Sequence, residues 1–221
     1  MKIPQEKYIK IKARRKAMKK IYENLFQFTT YIPPMDFTIH QYLLASDPAI
    51  VFATGTQKEA AENLATIKEV LGERTVKYIF VSHMESDECG GLPIFTKEYP
   101  EATVLCSVLC ARELPGYGFT GKIKVCNENE ILEDGTLKLH FFNYPSEVHL
   151  QNGLVCYEEN SGVFYSADLM LRSGNGTGKL IDSNWKTEVA DIKPQYISSD
   201  VIFSYIIYKF ITISPKFIVF G

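Results

Sequence analysis

Several things are scarce in this 221-residue sequence. It holds four histidines, one tryptophan and five cysteines. The cysteines, at 89, 106, 110, 126 and 156, form no Cys-x-x-Cys pair and are odd in number. They read as reduced thiols serving as small core residues, which points to a cytoplasmic setting. The N-terminus has no apolar stretch after its positive charges, so no signal peptide is read there. There is no long unbroken hydrophobic run. The single membrane candidate, VIFSYIIYKFITISPKFIVF at 201–220, is interrupted by Lys209, Pro215 and Lys216. It reads as a buried helix followed by a buried strand. An excess of positive charge is also missing: the net charge is −2, which argues against nucleic acid as a partner. That charge is unevenly spread. Residues 1–20 carry nine Lys or Arg and one acid, leaving 15 basic and 25 acidic residues in the remainder. The basic segment reads as a solvated arm over 1–19, with a docking arm for an acidic partner as the sharper alternative.

What is present is a full hydrophobic complement, 46% of residues against 23% charged, enough for one large domain over 20–221. In the first half strands alternate with helices. LFQFTTYI and HQYLLAS predict two strands around the Pro33-Pro34 turn, and AIVFAT a short buried strand ending at Gly55. A helix is predicted from about Gln57 to Leu71, because Ala60, Leu64, Ile67 and Leu71 share one face and Gly72 stops it. VKYIFVS, ATVLCS and then a helix over SVLCAREL follow. The second half is richer in strands: KIKVCN, TLKLHFF, GLVCYEE and GVFYSAD, divided by turn signals such as Asp134-Gly135 and Asn160-Ser161-Gly162. Two such halves suit a four-layer sandwich of facing sheets, although periodicity alone does not separate this from other α/β folds.

The stretch most informative about chemistry is VSHMESDECGGLPIF. His83, Glu85 and Asp87 follow a buried strand at alternate positions, and in an extended loop alternate side chains can point the same way. Loops at strand C-terminal ends are where α/β proteins place ligands. Alone, His-x-Glu-x-Asp is a weak string. His149 after TLKLHFF and Asp168 at the end of GVFYSAD add two further ligand types at strand ends.

Together these motifs resemble the metallo-β-lactamase-like domain of flavodiiron proteins. His83, Glu85 and Asp87 match the first three ligand positions of its His-x-Glu-x-Asp-His motif, and Glu85 is more like the flavodiiron than the hydrolase branch. His149 and Tyr157 keep the family spacing of a His and a Tyr, and Asp168 stands at the bridging aspartate. The similarity runs from about Lys20 to Gly221. It implies an αββα sandwich in a single domain. It also implies a first metal site of His83, Glu85 and His149 with Asp168 bridging, and a second of Asp87 and Asp168 with Glu88 as a candidate addition. Such donors suit iron, as one or two ions, and also Zn or Mn. The sequence departs from the pattern at three places. Glu88 replaces a second His, Ala53 and Thr54 stand where a buried Asp is usual, and none of the histidines at 40, 83, 140 and 149 can supply the last ligand after the strand KFIVF. A Gly-His-Gly after Gly221 would restore it. No flavodoxin-like part and hence no FMN site is read in the chain.

The function implied is binding or reduction of O2 or NO by a non-haem metal centre. A sensor without turnover, a metal-dependent ester or thioester hydrolase, and an inactive degenerate homologue are the alternatives. Partners expected are the gas and an external electron donor or signalling protein, with a homodimer admitted and no membrane. His40 and His140 read as core or edge histidines, not ligands. GNGTGK at 174–179 fails the P-loop spacing and reads as a loop on the pocket rim that could gate access. Cys89 reads as a small buried thiol, and Tyr157 and Trp185 as packing residues.

Overall fold

The computed structural model describes residues 16–143, 153–192 and 199–221. Seven strands form one sheet in the order β1-β2-β3-β4-β5-β6-β7: β1 (Lys16–Tyr22), β2 (Leu25–Ile32), β3 (Phe37–Leu44), β4 (Ala49–Phe52), β5 (Val76–Phe80), β6 (Thr103–Cys106) and β7 (Lys122–Val125). β1 to β4 pair antiparallel, and β4 to β7 pair parallel. The second sheet runs β12-β11-β10-β9-β8, from β8 (Ile131–Asp134), β9 (Leu137–Asn143), β10 (Leu154–Glu158), β11 (Val163–Ala167) and β12 (Phe217–Phe220). Only its β11–β12 pair is parallel.

Strand alternation builds the four expected layers. On β9, Phe141 stacks on Phe80 of the first sheet, while its neighbour Phe142 turns outward to Phe210. On β11, Tyr165 meets Phe52 and Phe80 inside, and Phe164 meets Trp185 and Phe210 outside. The outer faces are covered by helices α1 (Gln57–Leu71), α3 (Leu92–Glu98) and α4 (Val108–Glu113) on one side, and by α5 (Trp185–Ala190) and α6 (Asp200–Phe210) on the other. The α1 prediction holds at both ends. Thr56 and Glu59 form a reciprocal capping box, and Gly72 ends the helix at φ 60°.

Three elements differ from the sequence reading or were absent from it. The run KAMKKIY is a strand, β1, so the expected arm boundary at residue 19 falls inside an element; residues 1–15 lie outside the described residues. Its neighbouring Lys19 and Lys20 suit an edge strand, where charge blocks pairing with another chain. ILED is a strand that its short length concealed. The C-terminal helix is not buried. Only Ile206 and Phe210 of α6 are, while Val201, Tyr205 and Tyr208 face solvent. No helix of the described residues is long and apolar enough to cross a membrane.

Candidate metal centre

β4, β5, β11 and β12 all end at one rim of the sandwich, and each delivers part of the site. After β5, Ser82 is pinned to the start of β10: its hydroxyl donates to the Leu154 carbonyl at 2.5 Å, and its own carbonyl accepts from Leu154 N–H at 2.9 Å. His83 comes next and is wholly buried. The chain does not stay extended beyond it. Residues Ser86–Cys89 form one helical turn, α2. That turn rotates Glu88 inward and leaves Glu85 and Asp87 half-exposed.

The carbonyl of Glu88 is capped by Thr54, whose N–H and hydroxyl donate to it at 2.8 and 3.0 Å. Thr54 in turn accepts from Gly91 N–H at 2.9 Å. This packing is too close for a side chain at residue 91, because a Cβ there would sit 2.5 Å from Ala60 Cβ and 2.8 Å from the Thr54 carbonyl. The second glycine of the motif therefore sets how near α2 lies to β4. The residues standing where an Asp is usual are thus occupied. Ala53 turns the chain at φ 57°, and Thr54 holds α2 in place.

One donor atom from each of His83, Glu88 and Asp168 lies within 4.8 Å of the others. His83 Nε2 is 3.4 Å from Asp168 Oδ2 and 3.7 Å from Glu85 Oε2. Asp168 follows Ala167, whose φ of 46° and ψ of −130° are strained for a residue with a side chain. Glu88 accepts from the hydroxyl of Tyr165 on one oxygen and from Ser82 N–H at 3.3 Å on the other. The backbone of Gly221 closes the cluster; a Cβ there would lie 3.0 Å from Glu88 Oε1 and 3.3 Å from Asp168 Oδ1.

The electrostatics reflect crowded carboxylates in a low-dielectric place. Burial raises Glu88 to about 7, against the opposing pull of His83 and with Asp168 adding to it. Burial also raises Asp87, helped by the charges of Asp168 and Glu85. Burial pushes His83 down, but its hydrogen bond to Asp168 and the three carboxylates around it win and carry it up to about 9. A site that raises acids and the imidazole together holds surplus negative charge, which a cation would neutralise. One imidazole nitrogen with carboxylate oxygens is a donor set that fits Fe(II), Mn or Zn.

Of the residues singled out from sequence, the structure gathers His83, Glu88 and Asp168, with Glu85 and Asp87 at their margin. His149 lies outside the described residues. Tyr165 was missed, although the period of two along VFYSA places 163, 165 and 167 on one face. His40 and His140 stay away from the cluster as expected. His40 is buried against Thr29 Oγ1 at 2.9 Å, and His140 Nδ1 lies 3.6 Å from Glu159. Trp185 packs on Phe164 and donates to the Phe210 carbonyl at 2.7 Å. Burial raises the Cys89 thiol to about 11, which keeps it protonated.

A model of the ODP family beta lactamase matches residues 37–219. The chain belongs to that family. This ODP-family chain is 26% identical over 134 residues to a putative diflavin flavoprotein A 2 from Nostoc sp., covering 59% of itself and 23% of the relative. It is 21% identical over 145 residues to an anaerobic nitric oxide reductase flavorubredoxin from Salmonella arizonae, covering 65% of itself and 30% of the relative. Its fold superposes with a TM-score of 0.75 on rubredoxin oxygen:oxidoreductase from Desulfovibrio gigas, at 17% identity, over 92% of this chain and 56% of that one. The chain therefore spans a quarter to a third of these curated relatives and matches only their β-lactamase-like part. The expected kinship with the di-iron domain of flavodiiron proteins, and the αββα sandwich with it, hold.

Proposed function

We propose that the chain is a non-haem metal protein holding one or two iron ions that binds or reduces O2 or NO. The observation that carries this is the convergence of His83, Glu88 and Asp168 at the rim where β5, α2 and β11 end. A protein named for oxygen reduction shares the fold, and relatives named for nitric oxide reduction share sequence with this chain. In this reading His83 would give the nitrogen donor, and Asp168, Glu85, Asp87 and Glu88 the carboxylate oxygens. His149 joins them, a reading supported by the clamp between Ser82 and Leu154, which fixes the strand after its segment beside His83. Bound ferrous iron supplies electrons and open coordination positions for a diatomic ligand. Tyr165 orients Glu88 by its hydrogen bond, and burial of His83 and Glu88 keeps bulk water from the inner side of the site. Repeated turnover needs a source of electrons that returns the metal to its reduced state.

The test is metal analysis of protein made anaerobically with iron supplied, followed by absorption and paramagnetic resonance spectra on adding NO or O2. Stoichiometric iron with a gas-dependent spectrum supports the proposal. Zinc with esterase activity would make it a hydrolase, and no metal under any loading would make it a degenerate homologue.

A further inference from the structure

A second concavity lies away from the metal cluster. It is a cavity of about 530 Å³ between the β1–β3 end of the first sheet and β12, the edge strand of the second sheet among the described residues. That volume falls within the range of about 300–1,000 Å³ typical of small-molecule sites. The GNGTGK loop forms its outer wall, not a phosphate cradle. Thr38 holds the loop there, its hydroxyl donating to the Gly174 carbonyl at 2.6 Å and accepting from Gly176 N–H at 2.8 Å. The loop then passes so close to His40 that a Cβ on Gly176 would lie 3.2 Å from His40 Nε2.

The floor contains an unmet polar atom whose identity is fixed by its neighbours. Tyr42 donates its hydroxyl hydrogen to the Phe220 carbonyl at 3.1 Å. Its oxygen must therefore accept from Gln27, and Gln27 Nε2 sits 3.2 Å away. This leaves Gln27 Oε1 buried with no hydrogen-bond partner among the described residues. Gln27 is only 6% exposed and lines the cavity. A buried, unpaired acceptor costs about 1–3 kcal/mol, so the site favours whatever brings it a donor. The walls are aromatic, from Trp185, Phe217 and Phe220. The rim is cationic. Of its charged residues Arg172 pairs with Glu188, whereas Lys179 and Lys216 are exposed with no ion pair among the described residues.

We infer that this cavity binds a small aromatic organic acid whose ring carries an O–H or N–H donor. With the Gln27 side chain turned toward the cavity the donor would meet its Oε1, the ring would lie against Trp185 and Phe217, and the acid group would face Lys179 and Lys216. Trp185 is the only tryptophan of the chain, so its emission reports occupancy directly. The probes are 4-hydroxyphenylacetate and phenylacetate, which differ by one donor, titrated into the full chain while Trp185 fluorescence is followed. The hydroxylated acid should bind about tenfold more tightly, the worth of one donor to a buried acceptor. Gln27→Leu should abolish that preference, and Lys179→Ala should weaken both acids alike. Should Gln27→Leu fail to fold, the wild-type comparison still decides. No change in emission with either acid at millimolar concentration would overturn the inference. So would equal affinities, which would mean that water alone satisfies Gln27.

Discussion

Tyr165 on β11 donates its hydroxyl hydrogen to Glu88 on α2, tying the second sheet to the loop that carries His83. Both residues are buried. Removing the donor by Tyr165→Phe should cost the metal-free protein about 1–3 kcal/mol, the cost of leaving a buried acceptor unsatisfied. Urea unfolding at neutral pH measures this, and a loss below ~0.5 kcal/mol would show that Glu88 finds other partners.

Glu88 should also give the metal-free protein a pH dependence. Its folded pKa, about 7, lies above the ordinary 4.5. A raised carboxyl contributes stability that is complete below the unfolded pKa and is lost as pH rises through the folded one. Stability should therefore fall by roughly 3 kcal/mol between pH 4.5 and pH 8. Glu88→Gln should flatten that slope, and metal loading should release a proton. An unchanged slope in the variant would assign the titration elsewhere.

His40 acts in the opposite sense. Burial lowers it to about 4, so the folded state keeps it neutral while the unfolded chain takes up a proton below the ordinary 6.5. Stability is lost as pH falls through that window, by about 2–3 kcal/mol between pH 7 and pH 4.5. The difference between wild type and His40→Gln across this range isolates it, and equal curves for the two would refute it.

Metal stoichiometry tests the two-site reading. An imidazole in place of Glu88 offers a nitrogen that borderline metals prefer. Glu88→His should raise the metal content per chain above a wild type that holds its second ion weakly. Two tightly held ions in the wild type would show that Glu88 is already a competent ligand.

Ala167→Gly probes the strain that aims Asp168. Relief of an unfavourable backbone, about 1–3 kcal/mol, should exceed the entropy that glycine adds to the unfolded chain, about 0.4–1 kcal/mol. A net gain of roughly 1 kcal/mol in thermal unfolding is expected, with weaker metal retention because Asp168 is less rigidly held.

Much of this arrangement was legible in the sequence because it rests on short-range rules. The period of α1 with its glycine stop, and the buried runs ending at His83 and Asp168, follow from side-chain spacing alone. Glu88 was harder to place. An extended reading of residues 83–87 sends 83, 85 and 87 to one side, whereas the helical turn at 86–89 brings 88 inward. That turn is stabilised by Thr54, thirty-four residues away in sequence, and such a contact leaves no local signature. α6 misled for a related reason. Its apolar residues look fit for a core on every side, but only the face carrying Ile206 and Phe210 has a sheet to cover.

The last strand stands between two sites. Phe220 lines the cavity and holds Tyr42 through its carbonyl, and the next residue, Gly221, rests against Glu88 and Asp168. β12 is four residues long and hydrogen-bonded to a single neighbour, so like the other short edge strands β7 and β8 it is an element easily lifted from its sheet. If each ligand binds best while β12 is seated, linkage makes an acid in the cavity and a cation in the cluster raise each other's affinity by one common factor.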